Sequence, residues 1–173
     1  MKSKSIRLTN TSYALLALVN QLGEATPYEI KQAMDRSIDN FWPVPHTTAY
    51  EEPARLTGGG YMSVRQEEGG RRRKTYAVTE KGREALAAWA SDTTWTPPQV
   101  RDEVTLKIFA GANPLAFLEP SRDWHREKLA ELERNLEEVR RDQKRLGSEL
   151  VLIAGITYHR KMLEMFDELD PWT

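Results

Sequence analysis

The chain has 173 residues, 39% hydrophobic and 29% charged, with no cysteine. That allows one ordinary domain, or a small domain with an extension, and excludes disulfides, thiolate metal sites and cysteine nucleophiles. No run is apolar and long enough to span a bilayer, and the lysine-bearing N-terminus lacks the apolar stretch of a signal peptide, so a cytoplasmic location is expected.

Asn10, Thr11 or Ser12 is the expected cap of a first helix, Tyr13–Leu22. Its Leu15, Leu16, Leu18, Val19 and Leu22 make it largely buried, and Gly23 ends it. Thr26-Pro27-Tyr28-Glu29 is a strong start signal: Thr26 caps, Pro27 suits the first helical position, and Glu29 sits where a capping-box carboxylate reaches back. This second helix is expected to run to about Ser37, with Ile30 and Met34 inward and Lys31 outward. Asp39–Pro45 reads as a loop rich in proline and aromatics. A third helix starts near His46–Thr48, where Thr48 and Glu51 suit a second capping box. Pro53 removes one backbone hydrogen bond, a loss of about 3 kcal/mol in a helix interior. The pattern leaves open whether it kinks the helix or lies close enough to its start.

Gly58, Gly59 and Gly60 follow. Two β-prone runs, Tyr61–Arg65 and Lys74–Val78, then flank a turn, Gln66–Arg73, that carries two glycines and three consecutive arginines. Helix, tight turn, hairpin with a basic tip: this is the order of a winged helix-turn-helix. The predicted fold class is therefore mainly α with a small β-hairpin wing, followed by a long helical C-terminal domain. The charge distribution agrees. Residues 1–91 hold 13 Lys/Arg against 10 Asp/Glu, a balance of +3, and residues 92–173 hold 12 against 16, a balance of −4. A basic head on an acidic body suits contact with a polyanion through the head.

Thr79 caps a fourth helix through about Ala90, with Ala85, Leu86 and Trp89 on one face. The stretch SDTTWTPPQ then marks a boundary by its paired prolines and small polar residues. The predicted organisation is a winged-helix domain over 1–91, a linker over 92–99 and a helical domain over 100–173. In the last, Val100–Ala110 reads as helix, Gly111–Pro114 as a break and Leu115–Leu118 as a short segment. Regular apolar spacing follows at Leu129, Leu132, Leu136, Val139, Leu146, Leu150 and Ile153. This is a heptad seam that passes Gly147 without a phase shift, in one long helix or in two that meet there. A seam needs a cover, and a second copy of the chain is the simplest one. A two-fold dimer would set two heads on the half-sites of a palindromic duplex, roughly 34 Å apart.

The order of SYALLALV, TPYEIKQAM, NFWPVPHTTAYEEPARL, GYMSV, GGRRRKTYAVTEKGREAL and RDEVTLKIFAG resembles the PadR family of bacterial transcriptional regulators over the whole chain. The most specific pieces are Phe41-Trp42, Tyr50 and the run GRRRKTYAVTEKG. The resemblance implies a homodimeric repressor on a palindromic DNA operator, responsive to small aromatic or hydrophobic effectors. The family often has proline directly after the tyrosine of the third helix. Here Glu51 follows Tyr50, and the proline is Pro53.

Arg71, Arg72, Arg73 and Lys74 are the clearest contact set, for phosphate or the minor groove, against the bland alternative of a solvated turn. His46, Thr47, Thr48 and Tyr50 occupy the first turn of the third helix, the part that faces base edges in helix-turn-helix proteins; capping and packing are their plainer roles. Lys31 and Arg55 are weaker candidates and read first as solvated charges. Trp89, Trp95 and Trp124 could hold a flat effector, with ordinary packing as the commoner role. The three histidines show no metal-ligand spacing. No paired carboxylates, P-loop or serine nucleophile motif appears, so neither an enzyme nor a cofactor is expected. Glu51 and Glu52, acidic beside the expected contact surface, favour the rival reading: a winged helix used for protein interaction, with a coiled tail and no DNA.

Overall fold

The computed structural model of the protein describes residues 6–67, 73–99, 101–141 and 146–169. The chain divides into two compact units, Met1–Trp95 and Thr96–Thr173.

In the first unit, helix α1 (Asn10–Leu22) is capped by Thr9 rather than by residues 10–12. The Thr9 hydroxyl accepts from the Ser12 N–H at 3.2 Å, and the Ser12 hydroxyl accepts from the Thr9 N–H at 2.9 Å. Ser12 is the third helical residue, where a hydroxyl reaches back to the cap as a carboxylate does in a capping box. Gly23 ends the helix at φ 80°, a conformation open to glycine. Strand β1 (Glu24–Ala25) has only two residues, too few to show a period of two, and the sequence gives no sign of it. Helix α2 (Pro27–Arg36) has the start its residues dictate, with Thr26 as cap, Pro27 first and Glu29 closing the capping box. A single 3-10 turn, Ile38–Asn40, precedes helix α3 (Thr48–Gly58). Strands β2 (Met62–Gln66) and β3 (Lys74–Val78) form the wing, and helix α4 (Glu80–Ser91) follows. The sheet is antiparallel in the order β1-β3-β2; Ala25 and Val64 both register with Tyr76. Leu15, Leu16 and Val19 of α1 meet Ile30, Met34, Leu56, Met62 and Tyr76 in one core.

Two features of α3 settle or correct the sequence reading. The helix runs through Pro53, whose ring is fully buried, so the proline is tolerated. The capping box of Thr48 and Glu51 is absent. Instead the N–H groups of Thr48, Ala49 and Tyr50 donate three residues back to the carbonyls of Pro45, His46 and Thr47, at 2.9–3.2 Å. Thr47 is already helical in φ and ψ, so this tightened turn uses donors that a side-chain cap would otherwise take.

In the second unit, Asp102 caps helix α5 (Glu103–Phe109), and none of its residues is buried. Helix α6 spans Leu115–Arg141 without interruption, passing Pro120, so the short segment expected at Leu115–Leu118 is the first turn of a 27-residue helix. Helix α7 is Leu146–Leu169. Contacts between α6 and α7 run in reverse order. Arg140 meets Glu149 at 2.8 Å, Leu132 packs with Leu152 and Ile156, and His125 meets His159, so the two form an antiparallel hairpin.

The hairpin covers part of the seam from within the chain. Leu132, 1% exposed, is the centre of an intrachain core flanked by Leu129, Leu136 and Val139. These four lie against the chain's own α7. Of the other expected dimer residues, Leu146 opens α7, and Leu150 and Ile153 lie exposed on it. Heptad spacing shows that a face needs covering; it does not say whether the cover is the same chain. Among the described residues, no helix is long and apolar enough to cross a membrane.

Candidate nucleic-acid interface

Burial divides α3 into two faces. Ala49, Pro53 and Leu56 are buried, whereas Thr47, Tyr50, Glu51, Ala54 and Gly58 form a more open stripe at helical spacing. Thr48 lies half-buried beside it. Arg55 is not a solvated charge. Its Nε and Nη2 donate to Glu52 at 2.7 and 2.6 Å, its Nη2 also to the Ser12 hydroxyl at 2.8 Å, and its Nη1 to the Arg7 carbonyl at 3.0 Å. This clamp ties α3 to α1 and turns Glu52 inward. Only Glu51 of the acidic pair stays on the outward stripe.

Beside the stripe lies an open groove of about 670 Å³ lined by Thr26, Pro27, Tyr28, Tyr50, Arg73 and Lys74. Tyr28 is 61% and Tyr50 51% exposed. The groove joins the start of α2, the outward face of α3 and the turn end of the wing. Arg73 and Lys74 supply cations, and the tyrosines supply hydroxyls. Arg71 and Arg72 lie outside the described residues. Lys31 is less free than expected: its Nζ donates to Asp35 at 2.9 Å, and that bond holds its pKa above the ordinary lysine value. The other oxygen of Asp35 lies 3.5 Å from His46 Nδ1, so one carboxylate faces both residues at the approach to α3. Tyr28 and Ala54 escaped the sequence reading. The period set by Ala49, Pro53 and Leu56 would have placed Ala54 outward; nothing local in the sequence singles out Tyr28 beyond its place after Pro27.

Residues 15–88 match the profile of the transcriptional regulator PadR-like family, and residues 100–170 match that of the virulence activator alpha C-terminal family. The negative transcriptional regulator PadR of Bacillus subtilis (strain 168) is 30% identical over 99 residues, which are 56% of this chain and 54% of that protein. Residues 15–88 belong to the PadR-like family of transcriptional regulators. The match spans about half the length of the curated PadR. Solved structures extend the likeness in fold to nearly the whole PadR-like chain. Bacillus subtilis PadR in complex with operator DNA has a TM-score of 0.78 at 22% identity, covering 95% of this chain and 98% of that one. The same protein in complex with p-coumaric acid has a TM-score of 0.60 at 20% identity, covering 94% and 96%.

The tryptophans of this PadR-like chain have separate surroundings. Trp89 stacks on Tyr13 with centroids 4.8 Å apart and planes 7° from parallel, a packing role on α1. Trp95 is 76% exposed and has no ring partner among the described residues. Trp124, in the second unit, meets the edges of His125 and His159.

Those histidines are scattered in the sequence, yet the hairpin brings them together: His125 Nδ1 and His159 Nδ1 are 2.8 Å apart and buried. One ring must donate and the other accept, so the pair cannot carry two protons on these atoms. Burial lowers the pKa of both; for His159, the neighbouring His125 and Lys128 lower it further and Glu131 opposes them. A lowered histidine pKa means that the unfolded chain binds more protons. The pair's stabilisation is therefore complete above about pH 6.5 and is lost as pH falls below that through the folded values. Hairpin melting followed by circular dichroism should show a lower midpoint at pH 5 than at pH 7.5. His125→Leu/His159→Leu should flatten that slope, and an equal slope in the double variant would contradict the assignment.

Proposed function

We propose that this chain is a homodimeric DNA-binding repressor relieved by a small aromatic effector, an intracellular regulator and not an enzyme. The outward stripe of α3 beside a groove edged by Arg73 and Lys74 carries the reading. His46, Thr47, Thr48 and Tyr50 face base edges and phosphates from the start of α3 in the major groove. The wing, with Arg71, Arg72, Arg73 and Lys74, follows the backbone or the adjacent minor groove. Residues 1–91 form the head, 92–99 the linker and 100–173 the dimerising body. The second unit exposes Leu106, Phe109, Leu150, Ile153 and Tyr158, an amount of apolar side chain that favours a second copy as cover. Repression and an operator are supported by family membership, by the negative regulator among its relatives and by that relative's DNA complex. The relative's complex with p-coumaric acid supports an aromatic effector, with Trp95, Trp89 and Trp124 as candidate contacts.

Anisotropy titration of the full chain against duplex pools at two salt concentrations tests the grip. The chain should retain a palindromic subset. Replacing Arg71, Arg72 and Arg73 with alanine should weaken binding to every duplex. It should also flatten the salt slope by about 0.9 for each phosphate that the wing no longer neutralises. Unchanged affinity would remove the wing from the interface. If the chain retains no duplex at low salt, the protein-interaction reading stands in its place.

A further inference from the structure

The carboxylate of Glu29 serves two partners at once. One oxygen, Oε2, accepts from the Thr26 N–H at 2.8 Å and from the Thr26 hydroxyl at 2.7 Å, closing the capping box. The other, Oε1, faces Arg73 Nη2 at 3.3 Å. Because the cap immobilises the carboxylate, Oε1 is a fixed anchor and not one end of a swinging side chain. Arg73 is the described arginine nearest the wing tip, and it lines the groove together with Tyr28 and Tyr50. Its charge is therefore already answered before any duplex arrives. The backbone hydrogen bond from Thr26, then the hydroxyl bond, then Arg73 hold the Glu29 pKa below the ordinary glutamate value, so the anchor is charged at neutral pH. Arg65 at the end of β2 is paired in the same way, its Nη2 3.1 Å from both oxygens of Glu24. Both pairs join the wing to the segment at the start of α2.

We propose that Glu29 is a positioning residue that sets how Arg73 meets DNA, holding its guanidinium in the groove so that an arbitrary backbone must compete for it. This rests on reading the first unit as a DNA grip. A phosphate that passes through the groove in register can share Arg73 with Glu29, because a guanidinium has five donors and the pair uses only one edge. A phosphate out of register must displace Glu29, or do without Arg73. The carboxylate thus weakens contact with DNA in general more than contact with a correctly seated duplex, which is how a repulsive element produces specificity.

Glu29→Gln isolates this role. Glutamine serves at the same capping position, so α2 keeps its start, but its amide N–H₂ can point at Arg73 where Oε1 did and offers no attraction. On a random-sequence 24-base-pair duplex, the full-length variant should bind about 3- to 10-fold more tightly than wild type at 0.1 M salt. Its log–log salt slope should be steeper by about one, the signature of one more neutralised phosphate. In the Arg73→Ala background, Glu29→Gln should change neither quantity. An equal gain in that background would mean that Glu29 acts as a bare charge and would overturn the proposal, as would no gain at all. The Arg73 Nε–Hε resonance of the DNA-free protein, identified by its loss in Arg73→Ala, reads the Glu29–Arg73 pairing without DNA. It should shift in Glu29→Gln, and an unmoved signal rules the pairing out. If wild type retains no duplex at low salt, the DNA reading falls, and a shifted resonance would then leave Glu29 as a wing anchor with no role on DNA.

Discussion

Gly82→Ala is expected to destabilise the winged-helix unit by about 3 kcal/mol, the upper part of the range for forcing volume into a packed site. Gly82 lies in the first turn of α4, where that helix crosses the chain between α3 and the wing. A methyl group there would overlap the Tyr61 carbonyl oxygen and lie 2.7 Å from Val78 Cγ1. Neither neighbour gives way easily. The Tyr61 carbonyl is backbone and accepts from the Thr79 N–H at 3.1 Å. The Thr79 hydroxyl donates to the Gly60 carbonyl at 2.8 Å and accepts from the Gly82 N–H at 3.2 Å, so moving one member of this corner strains the others. For a domain of this size the loss corresponds to a fall in Tm of roughly 10–20 °C. DNA affinity at low temperature should fall with it, because Tyr61 leads directly into β2. A Tm within a few degrees of wild type would show that α4 shifts away at little cost, and that the corner does not fix the wing.

This glycine shows what a sequence can and cannot convey. The run TEKG is visible as part of a familiar pattern, but the reason for its glycine is a carbonyl from Tyr61, twenty-one residues earlier. Signals that act within four residues are legible: the start of α2 at Thr26-Pro27-Tyr28-Glu29, the inward Ile30 and Met34, the two strands of the wing and the Thr79 cap all follow from local chemistry. What escapes is what depends on pairing at a distance. Strand β1 exists only because Glu24 and Ala25 register with Ala77 and Tyr76. Arg55 looks like a surface charge until α1 brings Ser12 and the Arg7 carbonyl to it. His125 and His159 are thirty-four residues apart and share no helix. At the candidate interface the same division holds. The first turn of α3 and the basic end of the wing are visible as residue types, while the Glu29–Arg73 pairing and the inward turn of Glu52 need the fold.

The second large effect separates the core of the hairpin from the face that a partner would cover. Leu132→Asp should remove most of the helical signal of the second unit. Leucine-to-alanine changes at such sites cost about 2–5 kcal/mol from the reduced burial and the cavity. Aspartate puts a carboxylate against Leu152 and Ile156, in apolar surroundings that penalise its charge. Two facing helices with a core this narrow have little other apolar packing to offset that change. Leu150→Asp/Ile153→Asp should act differently. Leu150 is 59% exposed, so these changes leave the hairpin core untouched and place charge on the outward face of α7. Helical content should persist while the mass by light scattering falls from two chains to one. Read together, circular dichroism and mass distinguish the two surfaces, because a dimer seam running through Leu132 would give dissociation without unfolding at that site. A full helical signal in Leu132→Asp would therefore return the heptad positions of α6 to a partner chain. A dimeric mass in Leu150→Asp/Ile153→Asp would move the shared face off this part of α7, with the exposed Leu106 and Phe109 of α5 as the next apolar surface to test.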